Sequence, residues 1–194
     1  MCARCLRAQT ACICRWIAPV APQASLLVLL HPLEAGNAKN SGRLLHLSVA
    51  GSALAVGETF DADSLDALLH AGGRTPVLLY PAPPDDLHLP APPLLPVLPA
   101  SALRLVVLDA TWRKSRKMLY LNPGLQALPR LALQGDLPAS RYGALRKAHA
   151  PSQLSTLEAA ACALQRLAPA GPSLQPLRDA LEGLLALHAR HRPE

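Results

Sequence analysis

Leu105-Val106-Val107-Leu108-Asp109-Ala110-Thr111-Trp112-Arg113-Lys114-Ser115-Arg116-Lys117 is the stretch whose reading decides the fold. An apolar, partly β-branched run stops at an aspartate, and a basic, helix-compatible segment follows at once. Such a run reads as a strand covered on both faces, hence as a parallel strand. The polar turn after it reads as the start of a helix. In open α/β sheets, ligands lie outside the carboxyl ends of such strands. Asp109, Thr111 and Trp112 are therefore the first candidates for chemistry.

Other segments repeat the pattern on either side. Ser25–Leu30 is apolar and ends at His31-Pro32; Thr75–Tyr80 is a third strand, ending at Pro81. Ser52–Val56 and Pro129–Leu133 are shorter strand candidates. Leu44, Leu45, Leu47 and Val49 follow a polar loop at helical spacing. Asp61-Ala62-Asp63-Ser64 precedes Leu65, Leu68 and Leu69, and a side-chain oxygen there can satisfy the first free N–H groups of a helix. Ser155-Thr156-Leu157-Glu158 opens an Ala-rich helix to about Leu167, capped by Ser155 or Thr156. Gly171-Pro172 breaks the chain before a closing helix over Leu174–His188. Strands alternating with helices predict an α/β fold with a mostly parallel sheet flanked by helices. Eight prolines crowd residues 81–99, which excludes regular helix or central strand and leaves a stiff surface loop.

The 194 residues suit one domain. With 51% hydrophobic, 16% charged and 3% aromatic residues, the core is large and aliphatic. Lysine and arginine exceed the acids by 19 to 13, which fits either a polyanionic partner or a solvated basic surface. No apolar run reaches the roughly 18 residues of a membrane span, and the N-terminus lacks a signal-peptide core. The expectation is a cytoplasmic chain without a membrane partner. In that compartment clustered cysteines favour metal over disulfides.

Cys2, Cys5, Cys12 and Cys14 form C-x2-C-x6-C-x-C. Four thiolates suit a closed, structural zinc site with no open position for catalysis. Arg4, Arg7 and Arg15 would offset its negative charge. The competing readings are incidental thiols or two redox disulfides. Residues 1–20 are thus expected as a four-cysteine zinc-binding segment and 21–194 as the catalytic domain. Cys162, in an Ala/Leu helix, is expected as a packed core thiol.

The loop Glu34–Arg43 feeds a helix start, a ready anion site where Lys39 and Arg43 would add phosphate contacts. Arg141, Tyr142, Arg146, Lys147 and His149 make residues 134–153 either a nucleic-acid surface or a solvated loop. There is no dinucleotide fingerprint, P-loop or Gly-x-Ser-x-Gly elbow, which argues against nicotinamide enzymes, nucleotide hydrolases and α/β-hydrolases. Asp109 can accept a proton or hold an ammonium group. Thr111 can cap a helix or bond a ligand, and Trp112 can stack on a planar base. The plainer reading of the trio is strand end, N-cap and core aromatic.

Asp109-Ala110-Thr111-Trp112, with Arg113, Arg116, Lys117 and Met118 after it, resembles the D-x-T-W signature of the DTW-domain proteins, tRNA-uridine aminocarboxypropyltransferases. The resemblance extends over most of the chain. It includes the four cysteines, His31-Pro32-x-Glu34, Asn40-Ser41-Gly42-Arg43-Leu44 (Ser41 standing where threonine is usual), Leu79-Tyr80-Pro81 and Ser155-Thr156-Leu157-Glu158-Ala159. It implies a SPOUT-like fold, with a C-terminal trefoil knot left open. It implies S-adenosylmethionine as donor of a 3-amino-3-carboxypropyl group to N3 of a tRNA uridine, with methylthioadenosine leaving. Asp109 would be the general base or the anchor of the donor ammonium. Thr111, Ser155 and Thr156, with Glu158 beside them, would hold the donor carboxylate or ribose. Trp112 and the strand ends at Leu79, Tyr80, Pro81 and Leu108 would frame the adenine. Lys39, Arg43, Arg113, Arg116 and Arg146 would meet tRNA. The alternatives are methyl transfer from the same donor, rRNA as acceptor, and a non-catalytic zinc-containing RNA-binding protein. A monomer is favoured, the oligomeric state otherwise open.

Overall fold

The computed structural model describes residues 1–194 except 38, 82–90, 136, 139, 141–153 and 190–194, and the side chains of 188 and 189. Arg141, Tyr142, Arg146, Lys147 and His149, and much of the proline-rich loop, lie outside the described residues. Described residues 91–99 are irregular, as the prolines require.

In chain order the main elements are β1 (Ser25–Leu30), α1 (Pro32–Ala35), α2 (Gly42–Ser48), β2 (Ala53–Val56), α3 (Ala62–His70) and β3 (Thr75–Leu79). There follow β4 (Leu103–Asp109), α4 (Trp112–Leu121), α5 (Pro123–Gln126), β5 (Arg130–Leu131), α6 (Thr156–Leu167) and α7 (Gln175–Ala189). The strands form one sheet in the order β2-β1-β4-β3-β5, and every pairing is parallel. All residues of β4 are buried, as its apolar run demanded.

Side chains alternate across the sheet, as strand geometry requires. Leu26, Val28, Leu105 and Val107 face one core, together with Leu44, Leu45, Leu157, Leu164, Leu177 and Leu184 from α2, α6 and α7. Leu27, Leu29, Leu78, Val106 and Leu108 face the other, against Leu65, Leu69, Met118, Leu119 and Leu125 from α3, α4 and α5. Each such buried leucine or valine contributes about 1.5–3 kcal/mol, so the two layers hold the sheet between them. The register sets Leu30 beside Asp109, and the His31 N–H donates to the Asp109 carbonyl at 3.1 Å. The ends of β1 and β4 are thereby locked together.

Some expected boundaries move. β5 is two residues long, not five; Pro129 cannot donate to a ladder, although its carbonyl accepts from Leu78 N at 2.9 Å. The polar loop after β1 holds a one-turn helix, α1, because His31 Nδ1 accepts from Leu33 N and Pro32 suits a first helical position. Val49 leaves α2 and bridges Val20 instead. Trp112 is not a core aromatic: it is half exposed. Cys162 is buried in α6, as its surroundings predict. Among the described residues, no helix is long and apolar enough to cross a membrane.

The cysteine segment is packed into the same body. Cys5 and Ile13 are fully buried in the core that α6 and α7 share, and Trp16 lies against Gly183 of α7. A Cβ built on Gly183 would overlap Trp16 Cδ2 and Cε3. Glycine inside a helix ordinarily costs about 1 kcal/mol relative to alanine. Overpacking costs about 1–3 kcal/mol and should win here. Gly183→Ala is therefore expected to lower the urea midpoint rather than raise it. A stabilised variant would show that the indole does not occupy this place.

Candidate functional site

Asp109 closes β4 with its side chain almost wholly buried. A buried carboxylate is tolerated only if donors reach it, and Asn40 and Thr156 do. Asn40 Nδ2 donates to Oδ2 at short range, and Thr156 Oγ1 donates to Oδ1 at 2.6 Å. These donors stand at the starts of two helices, α2 and α6, which meet directly where Leu157 N–H donates to Ser41 Oγ at 3.4 Å. Asn40 also caps α2, its Oδ1 accepting from Arg43 N at 3.0 Å. Gly42 makes the approach possible: a Cβ there would overlap Asp109 Oδ2.

The start of α4 is the third helix end at this place. Thr111 stands at its N-cap position, but its hydroxyl makes no capping bond, contrary to the capping alternative. At α6 the cap is Ser155. Its hydroxyl accepts from Glu158 N at 3.2 Å, and Glu158 Oε2 accepts from Ser155 N at 2.7 Å and from Ser140 Oγ at 3.2 Å. This reciprocal box occupies the Ser155 and Glu158 side chains. Of the S-T-x-E residues, it is Thr156 that reaches Asp109.

Trp112 projects from the first position of α4 and stacks on Tyr80, with ring centroids 5.3 Å apart and an interplanar angle of 17°. Tyr80 is buried at the end of β3 while Trp112 is 51% exposed. The Arg130 guanidinium lies 5.7 Å from the Tyr80 ring centroid. Leu79, Pro81 and Leu108 belong to the same strand ends, so these predicted pocket residues are brought together with Asp109 at the carboxyl edge of the sheet.

A layer of ion pairs supports this edge. His31 Nδ1 accepts from Leu33 N at 3.1 Å, which leaves Nε2 to face Glu58 Oε1 at 3.0 Å. Lys117 reaches Glu58 Oε2, and Lys114 reaches Glu34 Oε1, each at 2.8 Å. The Lys117 ammonium, then His31, holds the Glu58 carboxyl below its usual range. Lys39, Arg113 and Arg116 are exposed, whereas Arg43 is partly buried. The sequence assigns Asn40 nothing beyond its place in the Asn40–Leu44 element, and assigns Glu58 nothing. A polar residue just before a helix start is a signal for the first; nothing in the local sequence marks the second.

Cys2 Sγ and Cys14 Sγ are 3.6 Å apart, Cys5 Sγ and Cys12 Sγ 3.8 Å, and all four sulfurs lie within 4.8 Å of one another. All are free thiols. A tetrahedron of thiolates at the usual Zn–S distance of about 2.3 Å spaces its sulfurs about 3.8 Å apart, so the four cysteines could hold a zinc ion. Backbone N–H groups of Cys5 and Arg4 lower the Cys2 thiol to about 6. At Cys5, burial opposes ionisation, but the N–H groups of Ile13 and Arg7 outweigh it and the thiol is lowered. Burial and the neighbouring thiols push Cys14 up to about 12. Leu6, between Cys5 and Arg7, takes φ 56°, the left-handed conformation that closes this tight loop.

Two outcomes follow from this geometry. Gly42→Ala must displace Asp109 or α2, and should cost about 1–3 kcal/mol of stability by overpacking, read as a lowered denaturant midpoint; an unchanged midpoint would refute the close approach. Cys14 is a thiol at neutral pH, so zinc uptake by metal-free protein must release its proton. Zinc affinity should therefore fall from about pH 8 to about pH 6 as protons compete for the sulfurs. Calorimetry in buffers of different protonation enthalpy measures the release, and a buffer-independent heat would contradict it.

The model of the DTW domain matches residues 1–189. No curated protein and no solved structure matches the chain. The DTW domain family is associated with tRNA-modifying activity. The D-x-T-W residues lie at the central strand end, and the match takes in both the cysteine cluster and α6: the chain belongs to the DTW domain family.

Proposed function

We propose that the chain transfers the 3-amino-3-carboxypropyl group of S-adenosylmethionine to N3 of a uridine in tRNA, giving 3-(3-amino-3-carboxypropyl)uridine and methylthioadenosine. The observation that carries this reading is the buried Asp109 carboxylate, held by Asn40 and Thr156 at the meeting point of three helix starts. A buried carboxylate of this kind suits the donor ammonium. Backbone N–H groups and the Thr111 hydroxyl at the start of α4 suit its carboxylate, as helix starts attract anions.

The reaction displaces a sulfonium at carbon. Uridine N3 gives up its proton to water, the electron pair so released attacks the carbon that joins the aminocarboxypropyl arm to sulfur, and that carbon–sulfur bond breaks onto sulfur, which leaves as methylthioadenosine. The leaving group needs no help, so the protein's task is orientation. Fixing the ammonium and carboxylate at Asp109 and the α4 start presents this carbon, not the methyl, to the base. Leu79, Tyr80, Pro81 and Leu108 would border the adenine. Trp112, backed by Tyr80 and half exposed, would stack on a base of the RNA. Lys39, Arg43, Arg113 and Arg116 would meet phosphates, with Arg146 added from outside the described residues. Zinc on the four cysteines would serve as a structural crosslink. We read the parallel sheet as SPOUT-like, and the protein as cytoplasmic.

The test is incubation with labelled S-adenosylmethionine and unmodified tRNA, followed by nucleoside mass analysis. A gain of an aminocarboxypropyl group supports the reading, and a methyl gain sinks it. Asp109→Asn should fold, because an amide oxygen can accept from Asn40 while its NH2 donates to the Thr156 hydroxyl. Loss of a hydrogen bond to a charged group should then weaken donor binding about tenfold to a hundredfold. Wild-type donor affinity in that variant would remove Asp109 from the donor site.

A further inference from the structure

We infer that Arg7 is a positioning residue that couples the cysteine cluster to Asp109. The inference rests on the reading of Asp109 as the functional centre. By sequence, Arg7 stands among the thiols as a neutralising charge. The structure turns its side chain away from solvent: it is buried, and Nη2 donates to the Asn40 carbonyl at 2.6 Å across 33 residues of chain. Its backbone stays with the cysteines. The Arg7 carbonyl accepts from Cys2 N at 2.7 Å, and its N–H faces the Cys5 sulfur.

Asn40 is the residue that this contact fixes. Its N–H donates to Asn37 O at 2.9 Å and its Oδ1 accepts from Arg43 N. Its Nδ2 donates to Asp109, and its carbonyl takes the Arg7 guanidinium. Every polar group of Asn40 is thus engaged, and among the described residues the carbonyl contact is the one that comes from the cysteine segment. A continuous chain of bonds results: Cys5 sulfur, Arg7 backbone, Arg7 guanidinium, Asn40 and Asp109. The left-handed Leu6 makes this chain possible, since it turns the backbone sharply between the Cys5 ligand and Arg7. Closing four thiolates on a metal fixes that turn and aims the guanidinium. Without the metal the loop loses the bonds that tie its four sulfurs together, and the guanidinium loses a defined origin.

Hydrogen exchange at the Arg43 amide, which bonds to Asn40 Oδ1, reads the relay without reference to activity. In zinc-loaded wild-type protein this amide should be protected. Removing zinc with a chelator should speed its exchange about tenfold, the scale of one charge-assisted hydrogen bond, while α3 on the far face keeps its protection. Arg7→Ala should retain zinc and show the same rise, and chelation should then add nothing, because both changes break one pathway. Arg7→Lys keeps one donor and should fall between. Donor affinity should follow the same order.

Wild-type exchange at Arg43 in the zinc-loaded Arg7→Ala protein would overturn the relay. So would a chelation effect equal in Arg7→Ala and wild type, or a rise in Arg7→Lys that extends to α3. If the exchange pattern holds but the wild-type protein binds no S-adenosylmethionine, the relay stands and the proposed function falls. If donor binds and the exchange pattern fails, the reverse is true.

Discussion

Burying the Asp109 carboxylate is the constraint from which the arrangement of the site follows. A buried anion without donors would cost far more than a lone hydrogen bond returns. Asn40 and Thr156, 69 and 47 residues away in the chain, are therefore drawn to one point. With them come the starts of α2 and α6, and the contact is so close that only a residue without a side chain fits at 42. The hydrophobic layers explain why there is a sheet. The carboxylate explains why these particular helix starts converge on its central strand.

Polar groups around that point divide into two kinds. Ser155 and Glu158 satisfy each other, and His31, Glu58, Lys117, Glu34 and Lys114 pair off along the sheet edge. These groups brace the scaffold. Thr111 and Trp112 differ from them: one has a hydroxyl that makes no capping bond, the other an indole that is half exposed. A tryptophan half in water beside the buried Asp109 strand end gains less from burial than a core position would give it.

The cysteine segment belongs to the same structural unit as the site. Cys5 and Ile13 are core residues, Trp16 lies against α7, and Arg7 reaches the carbonyl of Asn40. A short irregular segment of this kind buries too little apolar area to hold one conformation alone. Docking onto the helices addresses that problem, and a metal held by the four cysteines would address it from a second side.

By itself, the sequence determined whatever depends on neighbours along the chain. The buried strands at 25–30 and 105–109, a cap at Ser155 or Thr156, the break at Gly171-Pro172 and the cysteine spacing all rest on local sterics, periodicity and ligand reach. The D-x-T-W residues could be placed at a strand end for the same reason. Tertiary structure alone decided the pairings across long separations: Asn40 with Asp109, Glu58 with His31, Arg7 with Asn40, Tyr80 under Trp112. No local pattern encodes these, since an asparagine or glutamate in a loop looks the same whether it meets water or a buried partner. Their energies come from desolvation, which exists only once the chain has closed around them.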